Sequence, residues 1–350
     1  MLLFDRRPSA SPWLIAQVIV SACGLALSAQ PQPSVEALSV EGTRAFNSGD
    51  FSRALDYFLS AARVAPRNTD LAFNLGLTYF RLGRFKEAVA PLRQAASVPE
   101  PAGKVLFLLG VALYQSGDLQ GASTPLEVLN RKNSEHQDEV LYLLEECYRR
   151  GKQPSRAKQC FAELASKYPN SCFLHKLMGM AYSEQGRDDQ ALSELKQALA
   201  LNSSITDVNR AIGIIYLNQR DGAEASGWFR REIALNPCDP ASHYYLGEIA
   251  RKNSQFLVAG NEYKKAIGCD AAYAEGHLGM GFVLEEQQQY TRALGEFREA
   301  ARLDPGNVHA HYKLARALMR AGKTQEAKVE VKTVKRLQAV EDAKARAKLQ

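Results

Sequence analysis

Hydrophobic and polar positions recur along the chain with a period of about 34 residues. In the segment 69–102, Leu75 and Gly76 fall on the apolar face of one predicted helix, Gly83 marks a turn, and Ala88 falls on the apolar face of a second helix. Glycine inside a helix costs about 1 kcal/mol, so its return at the position of Gly76 indicates that two helices cross closely there. The pattern therefore predicts a helix-turn-helix unit that is repeated along the chain.

Nine copies of this unit follow one another across residues 35–335. Repeat four departs from the pattern, because Leu144 stands where we expect the crossing glycine and one extra residue falls near Lys152, Gln153 and Pro154. We expect repeat four to be the least stable repeat and to change the local angle between its neighbours. The predicted bounds of the nine repeats are 35–68, 69–102, 103–136, 137–171, 172–205, 206–239, 240–273, 274–307 and 308–335.

The order of residue types within each unit resembles the tetratricopeptide repeat (TPR), a helix-turn-helix unit of the same length. This resemblance implies an all-α, right-handed superhelical solenoid whose concave face is lined by the first helix of each repeat. Because the last repeat of a solenoid has no neighbour on one side, such stacks end in a polar cap. The polar, helix-favouring segment 336–350 is predicted to be this C-terminal capping helix.

The segment 1–29 differs from the repeats and has the layout of a secretory signal peptide. Two arginines precede an apolar run over 13–27, and small residues follow it up to Ala29. We therefore expect an exported protein, located in a bacterial periplasm, with a proline-rich lead-in at 30–34.

Two alternatives for the N-terminal segment stay open. The apolar run is short for a membrane-spanning helix, which needs about 20 residues, but if uncleaved it would tether the chain to the membrane. The residues Val20, Ser21, Ala22 and Cys23 resemble a bacterial lipoprotein box, which would leave Cys23 lipidated at the mature N-terminus.

Composition and motifs exclude several classes of function. Lys and Arg number 44 against 38 acidic residues, and this small, scattered excess favours solubility over nucleic-acid binding. The sequence contains no glycine-rich phosphate loop, nucleophile elbow, HExxH or paired Cys-x-x-Cys motif. We therefore predict a non-enzymatic protein with no cofactor and no metal site.

Four histidines share the fourth position of their repeats, which invites a test for metal binding. Equivalent positions on stacked helix pairs lie at least about 8–10 Å apart, whereas zinc needs its nitrogen ligands at about 2.0–2.1 Å. We interpret them as side chains that fill a half-buried position. They are His175, His243, His277 and His311.

The TPR resemblance also implies which positions face the groove, and several of them are apolar or aromatic. A large exposed apolar patch usually marks a partner site, although some of these side chains are expected to pack between neighbouring repeats. The predicted peptide groove contains Phe73, Asn74, Leu77, Phe80, Phe107, Val111, Tyr114, Tyr142, Tyr148, Tyr244, Tyr245 and Arg316. Some family members grip the C-terminal carboxylate of a chaperone tail, but only Asn74 and Lys104 match that set here, so this ligand class is not expected.

We predict an exported protein-protein interaction scaffold that binds a peptide or helix of a partner protein in its concave groove. One alternative is an envelope lipoprotein or an assembly factor for pilus, secretion or outer-membrane machinery. Another is an enzyme or the regulatory subunit of one, which would need polar residues converging in one pocket.

Cys238 and Cys269 are predicted to lie at the same end of one helical hairpin. Cys238 precedes the entrance of the first helix of repeat seven, and Cys269 follows the exit of the second helix. Their Cα atoms are expected within the ~7 Å that a disulfide allows. A disulfide between them is one prediction, and two free thiols are the alternative.

Overall fold

The structure, a computed structural model, describes residues 34–132 and 136–348. The predicted signal peptide at 1–29 and the lead-in up to residue 33 lie outside the described residues. The described residues form two compact units, unit 1 before position 134 and unit 2 after it. Both consist of helices in antiparallel pairs.

Unit 1 contains three helical hairpins. Its helices are α1 (Val35–Asn47), α2 (Phe51–Val64), α3 (Thr69–Arg81), α4 (Phe85–Ala95), α5 (Gly103–Gln115) and α6 (Leu119–Lys132). Unit 2 contains six further hairpins. Its helices are α7 (Gln137–Arg150), α8 (Pro154–Lys167), α9 (Cys172–Glu184), α10 (Asp188–Leu201), α11 (Val208–Asn218), α12 (Gly222–Leu235), α13 (Pro240–Lys252), α14 (Phe256–Cys269), α15 (Ala274–Glu286), α16 (Tyr290–Leu303), α17 (Val308–Arg320) and α18 (Thr324–Lys348).

The first helix of eight hairpins begins at the first residue of a predicted repeat. In repeat six the first helix begins two residues late, because Asp207 has a left-handed φ of 69° and α11 starts only after it. The all-α repeat fold that the sequence predicts is confirmed. Among the described residues, no helix is both long and apolar enough to cross a membrane.

Helix starts follow ordinary capping chemistry. The side chain of Asn68 accepts hydrogen bonds from the N–H groups of Asp70 and Leu71 at the start of α3. Asp239 caps α13 by accepting from the N–H of Ser242 at 2.9 Å, and Pro240 occupies the first helical position. These side chains satisfy backbone donors that have no partner inside the helix.

A glycine at the eighth residue of the repeat, here called the crossing position, lets the two helices of a hairpin touch. A Cβ atom at Gly247 would lie 2.6 Å from Cε1 of Tyr263, and one at Gly213 would lie 2.8 Å from Cε1 of Phe229. Tyr263 and Phe229 are both fully buried. The ring of the second helix therefore occupies the space that a larger crossing residue would fill.

The turn between the two helices of every described hairpin contains one residue with positive φ. Glycine holds this position in five hairpins, where a left-handed backbone costs nothing. Other residue types hold it in four: Lys152, Arg220, Ser254 and Gln288, with φ between 58° and 64°. The glycines are Gly49, Gly83, Gly117, Gly186 and Gly322.

Repeat four differs from the expectation in where its extra residue lies. Lys152 is the left-handed turn residue and α8 begins two residues later, as the second helix does after the turn glycine in other repeats. The extra residue therefore lies in α7, which has 14 residues where most first helices have 13. Counted back from the turn, the crossing position holds Glu145 and not Leu144.

The predicted C-terminal cap is not a separate helix. Helix α18 runs without a break from Thr324 to Lys348, so the second helix of repeat nine and the segment 336–348 form one helix of 25 residues. No proline or glycine interrupts this stretch, and its residues are mainly strong helix formers.

Candidate protein-binding surfaces

In unit 1, the predicted groove residues lie on two neighbouring first helices. All seven are half-buried, because one side of each helix packs on its hairpin partner and the other side faces outward. They are Phe73, Asn74, Leu77 and Phe80 on α3, and Phe107, Val111 and Tyr114 on α5.

Local contacts account for part of this burial. The ammonium group of Lys104 lies 5.1 Å from the centre of the Phe73 ring, a cation–π contact between repeats two and three. Phe80 meets Phe85 edge to face at 5.2 Å, across the turn of its own hairpin. Part of each ring stays open to solvent, so these residues form a partly exposed aromatic surface.

In unit 2, Tyr142 and Tyr148 lie in the interior and not on an exposed groove. Tyr142 is 8% exposed and stacks on Phe173 at 5.1 Å, and Tyr148 is 3% exposed beneath the guanidinium group of Arg156 at 4.1 Å. Burial raises the pKa of Tyr142. The expectation that these two rings meet a partner is therefore corrected, since as placed neither offers its face.

Tyr244 and Tyr245 are half-buried by aromatic packing, Tyr245 against repeat six and Tyr244 within repeat seven. Tyr245 stacks on Phe229 of repeat six at 5.0 Å with an angle of 14° between the rings. Tyr244 lies 5.9 Å from Tyr273 at the end of its own repeat. Arg316, by contrast, is exposed on α17.

A chain of polar and aromatic contacts links the first helices of repeats seven and eight. The hydroxyl group of Tyr263 donates to Oε1 of Glu248 at 2.5 Å, and Arg251 donates to both carboxylate oxygens of Glu248 at 3.1 and 2.8 Å. Burial would raise the pKa of Glu248, but these hydrogen bonds outweigh it and hold that pKa below its usual value. The Arg251 guanidinium group lies 5.2 Å from the centre of the Phe282 ring.

The same network continues into repeat nine. The ammonium group of Lys313 lies 4.2 Å from the centre of the Phe282 ring and 2.9 Å from Oε2 of Glu285. Sequence analysis placed Tyr244 and Tyr245 in this part of the groove but did not single out Lys313 and Glu248. The signal that could have found them is their place at groove-facing positions of the repeat.

A second polar centre lies between repeats five, six and seven. Arg210 donates to Asp207 at 2.6 Å and to Asp239 at 2.5 Å, and Lys176 donates to Asp207 at 3.3 Å. The N–H of Asp207 donates to Glu232, which is fully buried and whose pKa burial raises. The left-handed backbone of Asp207 is thus held by contacts to three surrounding helices.

Each of the four histidines at the fourth position pairs with a glutamate 19 residues later. The Nδ1···Oε2 distances lie between 2.5 and 2.7 Å. Repeats that lack the histidine also lack the glutamate, a correlation that the sequence contains and that sequence reasoning missed. The pairs are His175–Glu194, His243–Glu262, His277–Glu296 and His311–Glu330.

Cys238 and Cys269 form a disulfide in the structure, with their Cα atoms 5.1 Å apart. The bond joins the entrance of α13 to the end of α14, which the antiparallel hairpin brings to the same end. Among the described residues, Cys147, Cys160 and Cys172 lie outside this disulfide. Within the described residues, no group of three His, Cys, Asp or Glu side chains is arranged to hold a metal ion.

Helical hairpins joined by short turns, with successive hairpins packed on one another inside each unit, define a helical-repeat protein of the kind that presents extended surfaces to other proteins. Tetratricopeptide repeat family models match residues 40–102, 139–171, 176–242 and 284–349, which together cover more than half of the chain. The chain belongs to the tetratricopeptide repeat family.

Two similar proteins align with this chain over only part of their own length. The BBSome complex member bbs-4 of Caenorhabditis elegans is 26% identical over 193 residues, which cover 53% of this chain and 42% of that protein. The heat-shock protein cognate co-chaperone sgt12 of Aspergillus fumigatus is 28% identical over 97 residues, 28% of each chain. The chain thus spans less than half the length of these relatives.

A crystal structure of the APC/C hetero-tetramer Cut9–Hcn1 has the same fold. Its TM-score is 0.56 at 15% identity, and the alignment covers 83% of this chain and 57% of that one. At this identity the likeness concerns the fold alone.

Proposed function

We propose that the chain is an exported, non-enzymatic scaffold that binds an extended peptide or a helix of a partner protein. The binding surface is the first-helix face of unit 1, formed by α3 and α5. Membership of the family and the co-chaperone and complex-member relatives support a protein partner.

The observation that carries this proposal is the set of rings on α3 and α5. Phe73, Phe80, Phe107 and Tyr114 remain half-exposed on neighbouring helices, with Leu77 and Val111 on the same helices. Aromatic side chains supply large contact areas at partner sites. The Lys104 ammonium group beside Phe73 adds a cation at the edge of this surface.

The disulfide supports export. Disulfides persist in oxidising compartments and are rare in the reducing cytosol, and Cys238 and Cys269 are bonded in unit 2. Together with the signal-like layout at 1–29, this favours a periplasmic location.

A tethered form is the second candidate, and a sequence feature favours it. Cys23 follows Val20, Ser21 and Ala22 in a lipoprotein-like box. Such a form would serve as an envelope assembly factor. The mass of the mature N-terminus separates the two forms. The tethered form would begin at a lipidated Cys23 and carry its acyl chains, whereas cleavage after Ala29 would remove Cys23 together with the signal peptide.

Site-specific photo-crosslinking tests the binding surface. A photoreactive amino acid at Val111 should capture a partner in cells, whereas the same group at Val258, exposed on α14, should not. The double variant Phe73→Ser/Phe107→Ser should abolish the Val111 adduct. Its matched control, Leu257→Ser/Val258→Ser, removes two apolar side chains that are 77% and 50% exposed on a second helix.

Circular dichroism identifies a double variant that has lost its fold. Equal crosslinking in a folded Phe73→Ser/Phe107→Ser variant would refute the surface. If the control Leu257→Ser/Val258→Ser lost the Val111 adduct to the same extent, the partner would not depend specifically on the rings of α3 and α5.

A further inference from the structure

Repeat nine has a face to which no further repeat is added in the structure. In repeat eight, the corresponding face is covered by α17 and α18, and Leu278, Leu294 and Ala301 there are only 9%, 8% and 5% exposed. The stacking face of repeat eight has two rows, each spaced i, i+4, i+7 along a helix. These rows are Leu278, Phe282 and Glu285 on α15, and Leu294, Arg298 and Ala301 on α16.

Repeat nine contacts the polar residues of this face as well as the apolar ones. Phe282 meets the His309 ring edge to face at 5.4 Å. Arg298 forms an ion pair with Glu326 of α18 at 2.9 Å. The stacking face of an inner repeat therefore receives a helix, and its charged residues receive partners of opposite charge.

The equivalent rows of repeat nine stay open. On α17 the row is Tyr312, Arg316 and Met319, and on α18 it is Lys328, Lys332 and Lys335; all six side chains are exposed. We call these six residues the terminal face. Arg316 and the three lysines form no ion pair with any carboxylate of residues 34–132 or 136–348.

A cap that serves only solubility does not account for the terminal face. The lysines fit such a cap, since polar outer faces keep solenoids soluble. Tyr312 and Met319, however, are 48% and 57% exposed in the row beside them. The guanidinium group of Arg316 lies 5.9 Å from the centre of the Tyr312 ring, a contact inside the face. Tyr, Met and Arg are enriched at protein interfaces, and cations without an ion pair favour a partner of opposite charge.

We propose that the terminal face docks an acidic amphipathic helix of a partner protein. The occupant is helical because α17 occupies the corresponding place on repeat eight. Its apolar residues contact Tyr312 and Met319, and its carboxylates pair with Arg316 and the lysines of α18. This surface lies in unit 2 and is independent of the aromatic surface on α3 and α5.

A second copy of the chain fits the terminal face poorly. Helix α17 contains no Asp or Glu, and the α18 row consists of three lysines. Two such faces in a symmetric pair would bring like charges together, which is destabilising. Charge complementarity therefore favours an acidic partner.

The test uses the full chain and a synthetic peptide of defined design. The peptide has about 18 residues, a side-chain staple because short isolated helices are marginal, leucines spaced i, i+3, i+7 and glutamates beside them. Fluorescence anisotropy should give binding in the micromolar range that weakens about tenfold from 50 mM to 500 mM salt, since the Debye length falls steeply. A scrambled peptide of the same composition and a peptide with Lys for Glu should not bind.

Two variants map the site. Lys328→Glu/Lys332→Glu/Lys335→Glu should weaken binding at least tenfold, and Tyr312→Ser/Met319→Ser should weaken it about as much. The matched control Lys158→Glu/Lys196→Glu/Lys264→Glu reverses the charge of three exposed lysines on other second helices. Its net charge equals that of the terminal-face lysine variant. It should bind like the parent.

Several results would overturn the proposal. They are absence of peptide binding up to about 1 mM, equal binding of the scrambled peptide, and equal losses in the control and terminal-face variants. A concentration-dependent dimer by light scattering that the Lys→Glu variant abolishes would assign the face to a second copy instead.

Discussion

Nδ1 of His243 lies 2.7 Å from Oε2 of Glu262, while Nε2 of the same ring lies 3.3 Å from the carbonyl oxygen of Pro237. Both nitrogens thus face acceptors, and only the doubly protonated ring can donate to both. The pair joins the first and second helices of repeat seven. It recurs in repeats five, eight and nine, so it is part of the repeat and not a single local event.

The first prediction concerns the coupling of this pair. A double-variant cycle of His243→Ala and Glu262→Ala should give a coupling free energy of about 1–2 kcal/mol at pH 6. Burial would raise the pKa of Glu262, but hydrogen bonds from Lys265 and His243 outweigh it and lower that pKa. A carboxyl group with a lowered pKa stabilises the fold above its unfolded pKa of about 4.3, and this contribution is lost as the pH falls through the folded value.

Urea unfolding at pH 6 and at pH 3 measures both quantities. The cycle of His243→Ala with Glu296→Ala, a glutamate of the next repeat, should show coupling near zero. A His243–Glu262 coupling that is unchanged at pH 3 would contradict the ionic account.

The second prediction concerns the crossing glycines. Gly247→Ala should destabilise the protein by about 1–3 kcal/mol, because the new Cβ would lie 2.6 Å from the buried Tyr263 ring. Gly227→Ala, inside α12 with no heavy atom within 4 Å of its Cβ, should stabilise by about 0.5–1 kcal/mol. Chemical denaturation of the two variants decides it, and changes of the same sign would contradict the packing argument.

The third prediction concerns the disulfide. Its sequence separation is 31 residues, for which the chain-entropy model gives a stabilisation of about 3–4 kcal/mol. Reduction of the oxidised protein should lower its melting temperature, and the variant Cys238→Ser/Cys269→Ser should melt at this lower temperature with or without reductant. A reductant-sensitive double variant would point to a different cysteine pair.

The fourth prediction concerns Glu145, whose side chain is only 9% exposed. Burial raises the pKa of Glu145 to about 7, against the attraction of Arg149. Because this value lies above the unfolded pKa of about 4.3, the contribution of Glu145 to stability is fully present below about pH 4.3 and is lost as the pH rises through 7. Glu145→Gln should therefore raise the melting temperature by several degrees at pH 8 and have little effect at pH 4.

A pH series of melting curves for parent and variant tests this expectation. The exposed Glu286→Gln serves as control and should leave the difference between pH 4 and pH 8 unchanged. An equal gain for Glu145→Gln at both pH values would mean that charge is not the cause.

The fifth prediction concerns local opening within unit 2. The hairpin α7–α8 has no glycine at its crossing position, and a buried carboxylate takes its place. Amides of residues 137–167 should exchange with solvent faster than those of α13–α14, where Gly247 and the disulfide hold the hairpin together. Hydrogen exchange read by mass spectrometry measures both segments at once, and slower exchange in α7–α8 would contradict the prediction.

The helices and their pairing into hairpins could be predicted from the sequence because the same residue pattern recurs in nine repeats. Gly76 and its equivalents indicate the close crossing, and the order of residue types sets where each hairpin starts. The antiparallel geometry indicated that Cys238 and Cys269 lie within reach of a disulfide, but it left two free thiols as the alternative.

The surfaces could be predicted only in part. A position in the repeat identifies which helix a residue belongs to, but not what covers its side chain. Tyr142 and Phe107 occupy equivalent-looking places, yet Tyr142 is covered by Phe173 and Phe107 is half-exposed. Glu248 and Lys313 stand at groove-facing positions of the repeat, but the ion pairs that they form, Glu248 with Arg251 inside α13 and Lys313 with Glu285 of repeat eight, depend on side-chain reach, which the repeat position does not give.

The extra residue in α7 also limits how far the repeats are interchangeable parts. A helix rotates by about 100° per residue, so the two ends of α7 follow two different numberings, one counted from Gln137 and one counted back from Lys152. Hairpins such as α13–α14 and α15–α16 follow a single numbering and can in principle be exchanged or duplicated as modules. The hairpin α7–α8 cannot be transplanted in this way, because a copy inserted elsewhere would match its neighbours at one end and turn its side chains away from them at the other.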